Sequence, residues 1–166
     1  MTNFDFINRT DELALLNRLH QQGRGYVAIT GRRRIGKTRL LQHWISSVNG
    51  LYSQAIEGAT TTQLEQLSID LFYPDSPAAT SIKPKNWEEF FELLERAPAP
   101  ITLCIDEFPY LVASDPTLPS RLQKWLDSSR KKDLFIIFAG SSRRMMSDTF
   151  LDDNAPLYGR MSRIMN

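Results

Sequence analysis

The run Gly31-Arg-Arg-Arg-Ile-Gly-Lys37-Thr38 restricts this chain more than any other feature, because it fits G-x-x-x-x-G-K-[S/T] at every fixed position. The residues before it, Tyr26-Val-Ala-Ile-Thr30, are an apolar run. Those after it, Leu40, Leu41, Trp44, Ile45 and Val48, have helical spacing, so the context predicts strand, loop, helix. In that setting the backbone N–H groups of the loop wrap around an anion, and the helix beginning near Lys37 adds the positive end of its dipole. Lys37 is then expected to reach the β- and γ-phosphates of a nucleotide, and the Thr38 hydroxyl to ligate Mg²⁺. Gly31, Arg32, Arg33, Arg34, Ile35, Gly36 and Arg39 complete the candidate binding stretch. The bland alternative is a glycine-rich turn that binds nothing.

A second stretch weighs against that alternative. Ile101-Thr-Leu-Cys-Ile105 is almost continuously apolar, as a strand buried on both faces of a parallel sheet must be, and it ends in Asp106-Glu107. Open α/β sheets place their ligands at the carboxyl ends of such strands. Asp106 is expected to hold Mg²⁺ through water, and Glu107 to orient or accept a proton from an attacking water. A third apolar run, Leu134-Phe-Ile-Ile-Phe-Ala139, empties into Gly140-Ser141-Ser142.

Elsewhere the pattern predicts a helix after Thr10, with Thr10 as its N-cap and Leu13, Leu16 and Leu19 on one face. A strand is expected over Leu51–Ile56. A helix capped by Thr60, Thr61 or Thr62 follows, then a proline-rich surface connection from Tyr73 to Lys85 and a helix over Trp87–Ala97 capped by Asn86. Phe108 to Pro116 reads as a loop, Thr117–Ser129 as a helix with Pro119 in its first turn, and Arg143–Leu151 as another helix.

The chain has 166 residues, enough for one domain with a sizeable core. No apolar run approaches the roughly 20 residues that cross a bilayer, so no membrane partner is expected. The start, Met1-Thr-Asn-Phe-Asp-Phe, does not read as an export signal, and the single cysteine, Cys104, fits a reducing compartment; the expectation is cytoplasmic. The net charge of +1 gives no global case for nucleic acid. Charge is uneven: 11 acidic against 3 basic residues from Glu57 to Asp115, but 7 basic against 4 acidic from Arg130 onward. The basic flank could meet phosphate or a partner, although a solvated face is the more frequent reason for such a skew.

About seventy residues separate Lys37 from Asp106 and hold a helix, a strand and a helix, which leaves room for a strand between the phosphate-loop strand and the acidic one. That spacing and the adjacent Glu107 resemble the additional-strand, catalytic-glutamate division of P-loop proteins, to which the AAA+ and STAND ATPases belong. Within it the chain resembles the archaeal-type ATPases. The resemblance rests on Phe6-Ile-Asn-Arg9-Thr-Asp-Glu12-Leu13, Gly31 to Thr38, Ile105-Asp-Glu-Phe-Pro-Tyr-Leu111, Ala139-Gly-Ser-Ser142 and Pro156-Leu-Tyr-Gly-Arg160.

The resemblance implies a three-layer α/β P-loop fold. Its mostly parallel sheet has the order 5-1-4-3-2, with the last strand truncated or incomplete, so that an uncovered edge at Tyr26 to Thr30 would invite self-association. It places Phe6, Ile7 or Arg9 near adenine, and Ser141 or Ser142 near the γ-phosphate, with an ordinary helix cap as the competing role for a serine. Arg160 matches a terminal Gly-Arg landmark and is either a phosphate-reading arginine or a surface ion pair. It also implies one ATPase domain over 1–166, with 1–25 as entry strap and helix, lacking the winged-helix-like part that family members carry next. The expected activity is Mg²⁺-dependent binding and hydrolysis of ATP, with a nucleotide-dependent switch or assembly module as the alternative. Expected partners are ATP and ADP, another protein or a second copy of the chain, with nucleic acid left open because no groove-reading or stacking set accompanies Arg32, Arg33 and Arg34.

Overall fold

Three segments of this chain have no polar face, and each becomes a strand covered on both sides. The computed structural model describes residues 9–32, 36–73, 82–131 and 133–166. In β1 (Gly25–Thr30) and β4 (Leu134–Gly140) every residue is buried, and in β3 (Ile101–Asp106) only Thr102 is not. β2 (Leu51–Gln54) and β5 (Arg163–Met165) flank them, giving an all-parallel sheet of order β2-β3-β4-β1-β5.

Side-chain alternation sorts these strands into two cores. Tyr26, Ala28, Leu103, Ile105, Leu134, Ile136 and Phe138 face one side. There they meet α3 (Thr60–Phe72), α4 (Trp87–Arg96), α5 (Pro109–Ser114) and α6 (Leu118–Ser128), as well as α7 (Arg143–Met146), which runs on into a π-helical turn over Ser147–Leu151. Val27, Ile29, Cys104, Phe135, Ile137 and Ala139 face the other side, against Leu16 of α1 (Thr10–Gln21) and Leu41, Trp44 and Ile45 of α2 (Lys37–Ser47). Aromatic contacts join α4 to α6, with Phe91 stacked on Trp125 at a centroid distance of 5.0 Å, and tie β4 to the helices on that face through the Phe108, Phe138 and Phe150 group.

The sheet order is the one expected, and it includes the final strand. β5 is three residues long and pairs with Val27–Ile29. One residue earlier, the Ser162 N–H donates to the Tyr26 carbonyl at 2.7 Å and its hydroxyl accepts from the Tyr26 N–H at 3.2 Å. The phosphate-loop strand is therefore paired on both sides, and the uncovered edge that a missing strand would leave there is closed.

Several local expectations need correction. Thr10 is the first helical residue of α1, not its cap; Arg9 holds that position, with no side-chain cap. Ala59 likewise precedes α3, and Thr60 bonds instead to Ser114 at 3.1 Å. β2 ends at Gln54 rather than Ile56. The stretch after Glu107 is not a loop throughout, since Pro109 opens α5. Proline at a first helical position costs no hydrogen bond, and six residues are too few to show periodicity in a sequence. Asn86 does cap α4, its side chain accepting from Glu89 N–H at 2.9 Å. The connection expected over Tyr73 to Lys85 falls largely on residues outside those described.

The basic C-terminal flank begins with helix ends. Lys131 donates to the Ala97 carbonyl at the end of α4. Just before β1, Arg24 reaches the Leu126 and Ser129 carbonyls at the end of α6. Cations there meet the negative end of the helix dipole, which accounts for these two residues without a phosphate partner.

Gly140 is where α5, α7 and β4 come closest. A Cβ built there would lie 2.6 Å from Pro109 Cδ, 2.7 Å from Pro109 Cγ and 2.9 Å from Met146 Sδ. Gly140→Ala is expected to destabilise the fold by about 1–3 kcal/mol through overpacking, read as a lower urea midpoint at unchanged slope.

Candidate functional site

The mouth of the sheet, at the carboxyl ends of β1, β3 and β4, gathers Lys37, Thr38, Asp106, Glu107 and Ser141. Gly36 makes the turn into α2 with φ 79°, a left-handed conformation that favours glycine. The first turn of α2 contains no acid, while Lys37 and Arg39 both sit at this positive helix end. Cations there oppose the dipole, a local conflict that a bound anion would relieve.

Asp106 is fully buried, so its charge must be met by donors. Oδ2 accepts from the Thr38 hydroxyl at 2.8 Å and from the Tyr52 hydroxyl at 2.8 Å, and Oδ1 accepts from the Glu107 N–H at 2.8 Å. Lys37 Nζ stands 3.7 Å from Oδ1 and 3.9 Å from Glu107 Oε1. Those are ion-pair distances, not hydrogen bonds, and among the described residues the buried ammonium has no hydrogen-bond acceptor. A buried cation ordinarily makes charge-assisted bonds near 2.8 Å, and none of the three Lys37 ammonium donors finds one among the described residues.

Glu107 has φ 53°, in the left-handed region that non-glycine residues seldom adopt. The carbonyl of this residue accepts from the Tyr110 N–H at 3.0 Å, and its Oε2 accepts from the Ser141 hydroxyl at 3.1 Å. The two serines have therefore divided their roles: Ser141 faces Glu107, while Ser142 accepts from the Met145 N–H and caps α7. Beside Glu107 and Ser141 opens a cleft of about 470 Å³, walled also by Gly58, Tyr110 and Ser114.

Other candidates lie apart from this cluster. Arg160 makes a two-pronged pair with Asp127, Nε to Oδ1 and Nη2 to Oδ2 both at 2.7 Å, and that guanidinium holds the Asp127 carboxyl below its usual range. Arg9 precedes α1 and pairs with Glu12 at 3.1 Å. Gly31 is buried, whereas Arg32 and Arg39 are exposed. Phe6, Ile7, Arg33, Arg34 and Ile35 lie outside the described residues.

Tyr52 is the site residue that sequence reasoning missed. Burial, then the Asp106 carboxylate beside it, push its phenol well above the ordinary range, so it keeps its proton and donates. The signal was available only through pairing: β2 runs parallel to β3 with Tyr52 opposite Cys104 and Gln54 opposite Asp106, which sets Tyr52 on the same face as the acid.

The donor set fits a divalent cation of the Mg²⁺ type: a carboxylate and a hydroxyl in contact, both oxygen ligands, beside an ammonium short of an anion. Among the described residues no group of three or more His, Cys, Asp or Glu forms a metal cluster, so a cation here would complete its shell with water and phosphate. Nor is any described helix long and apolar enough to cross a membrane.

Comparison with known proteins bears on the fold and the family. Solved structures with the same fold include the Walker-type ATPase PABY2304 of Pyrococcus abyssi, at TM-score 0.64 and 18% identity over 95% of this chain and 52% of that one. Cdc6p of Pyrobaculum aerophilum gives 0.64 and 14% over 95% and 45%. ORC2 of Aeropyrum pernix, determined in ADPNP–ADP complexes, gives 0.60 and 19% over 96% and 47%. In sequence, "Uncharacterized protein MJECL04" of Methanocaldococcus jannaschii is 31% identical over 162 residues. Those residues are 96% of this chain and 35% of that protein, so the chain spans about a third of this curated relative's length. The model of an ATPase domain predominantly from Archaea matches residues 6–165, nearly the whole sequence, and the chain therefore belongs to that family of nucleotide-binding P-loop ATPases.

Proposed function

We propose that this chain binds ATP with Mg²⁺ at the mouth of its sheet and hydrolyses it, with Lys37, Thr38, Asp106, Glu107 and Ser141 as the working side chains. The observation that carries this reading is the Lys37 ammonium, buried and without an acceptor among the described residues, at the positive end of a helix with no acid in its first turn. A terminal phosphate oxygen is the group that position lacks.

Lys37 would bind the β- and γ-phosphates, and the loop from Gly31 to Thr38 their backbone-facing oxygens. Thr38 and Asp106 would hold Mg²⁺, which when bound would supply charge neutralisation at the phosphate oxygens. Thr38 can do so without releasing Asp106, because its proton goes to Oδ2 and its lone pairs stay free. Glu107 would orient the attacking water and take its proton, and the Ser141 hydroxyl fixes the Glu107 carboxylate in that direction. Phe108 steadies this backbone from behind, its N–H bonded to the Ala139 carbonyl at 2.9 Å and its ring packed on Phe138 and Phe150. The base would lie toward α1, where Arg9 and the preceding Phe6 and Ile7 are the candidates. Arg160 fits the ion-pair reading better than the phosphate-reading one, because Asp127 takes both prongs of its fork.

A second reading, a nucleotide-dependent switch, keeps the same binding residues and leaves Glu107 idle. Relatives that are longer than this chain leave room for an output outside it, and a protein or nucleic-acid partner belongs to that output. The left-handed backbone of Glu107, strain kept at one acid beside the phosphate-binding lysine, favours turnover.

Calorimetric titration should show ATP and ADP binding, weaker binding of GTP, and a loss of ATP affinity in Lys37→Ala of on the order of 10- to 100-fold. Steady-state phosphate release should fall roughly 100-fold or more in Glu107→Gln while ATP affinity stays within a few-fold of wild type. An unchanged rate in that variant would remove Glu107 from the chemistry and leave the switch.

A further inference from the structure

We infer that Tyr52 is a positioning residue that keeps the Asp106 carboxylate from closing on Lys37, so that the ammonium stays available to an incoming phosphate. The inference rests on the reading of Lys37 as a phosphate ligand. Lys37 Nζ and Asp106 Oδ1 are opposite charges, both buried, 3.7 Å apart. An approach of about 1 Å would turn that contact into a charge-assisted hydrogen bond in a low-dielectric setting, and the lysine would then be spent.

What resists the approach is the set of donors on the acid. A carboxylate offers about four lone-pair positions, and three are filled here by Thr38, Tyr52 and the Glu107 N–H. Rotation of the carboxylate toward Lys37 would break bonds in that set. The three donors differ in what they are attached to. Glu107 is the next residue in the chain, and Thr38 sits beside Lys37 on the same helix, so either can move with the pair. Tyr52 comes from β2, a separate element whose register is fixed by pairing of Leu51–Gln54 with Leu103–Asp106. Its ring is packed against the core on the α2 side, which holds the hydroxyl in place. A neutral phenol also secures the acid without adding a second cation that would compete with Lys37 for phosphate.

The test is ATP binding without metal, in EDTA, by calorimetry on wild type, Lys37→Ala and Asp106→Asn, each with and without Tyr52→Phe. The Y52F ring keeps its packing, and all titrations are made below the first melting transition seen by circular dichroism. Y52F is expected to weaken ATP binding roughly three- to tenfold, a part of what a hydrogen bond to a charged group is worth. In the K37A background the same change should cost nothing. It should also cost nothing in Asp106→Asn, whose neutral amide no longer attracts the ammonium. Wild-type affinity in Y52F, or an equal loss in all three backgrounds, would overturn the positioning role. If K37A itself bound ATP like wild type, the phosphate-binding reading beneath it would fall instead.

Discussion

A single carboxylate taken wholly out of water, Asp106, sets the terms for the rest of the structure. Burying an isolated charge costs far more than any one contact returns, so the group is tolerated only where donors surround it. Those donors come from three elements: the Thr38 hydroxyl from α2, the Tyr52 hydroxyl from β2, and the backbone of Glu107 at the end of β3 itself. Sheet order brings them together, since β2 and β3 are neighbours and α2 packs across that side of the sheet. The charge that would be a liability in an ordinary core is thereby held in one orientation beside Lys37.

The surrounding architecture serves that placement. Parallel strands buried on both faces end at one mouth, and the two-sided cover explains why β1, β3 and β4 read as unbroken apolar runs. The close approach at Gly140 lets α5 and α7 pack beside the acidic turn, which fixes Phe108 and, through it, the direction of Glu107. Ser141 and Ser142, adjacent in sequence, then serve different ends, one directed at the glutamate and the other at the helix it caps.

Much of this was legible beforehand, and the exceptions have physical causes. The three inner strands and the phosphate loop declare themselves because their residues have little choice: an apolar run without a polar face, or glycine where φ turns positive, admits few alternatives. Asp106 was readable because it ends the apolar run of β3, and Thr38 because it closes the loop pattern that Gly31 opens. Tyr52 was not, since its partner is 54 residues away and only the register of β2 on β3 reveals it. Helix α5 was hidden by Pro109, a residue that marks a loop and a helix start equally well. The cap expected from Thr60 failed because its hydroxyl is turned to Ser114, while Thr10 is itself helical, one residue past the cap position that Arg9 holds. Arg160 stood between two roles on the sequence, and the Asp127 fork that weighs on the choice lies 33 residues away.

The most direct test is a crystal structure of the protein with a non-hydrolysable ATP analogue and Mn²⁺, using the anomalous signal to locate the metal. The account predicts Mn²⁺ against the Thr38 hydroxyl and on the Asp106 side of it, with Lys37 Nζ turned onto a terminal phosphate oxygen. A triphosphate seated elsewhere, or a lysine still facing only Asp106 and Glu107 with nucleotide bound, would contradict it.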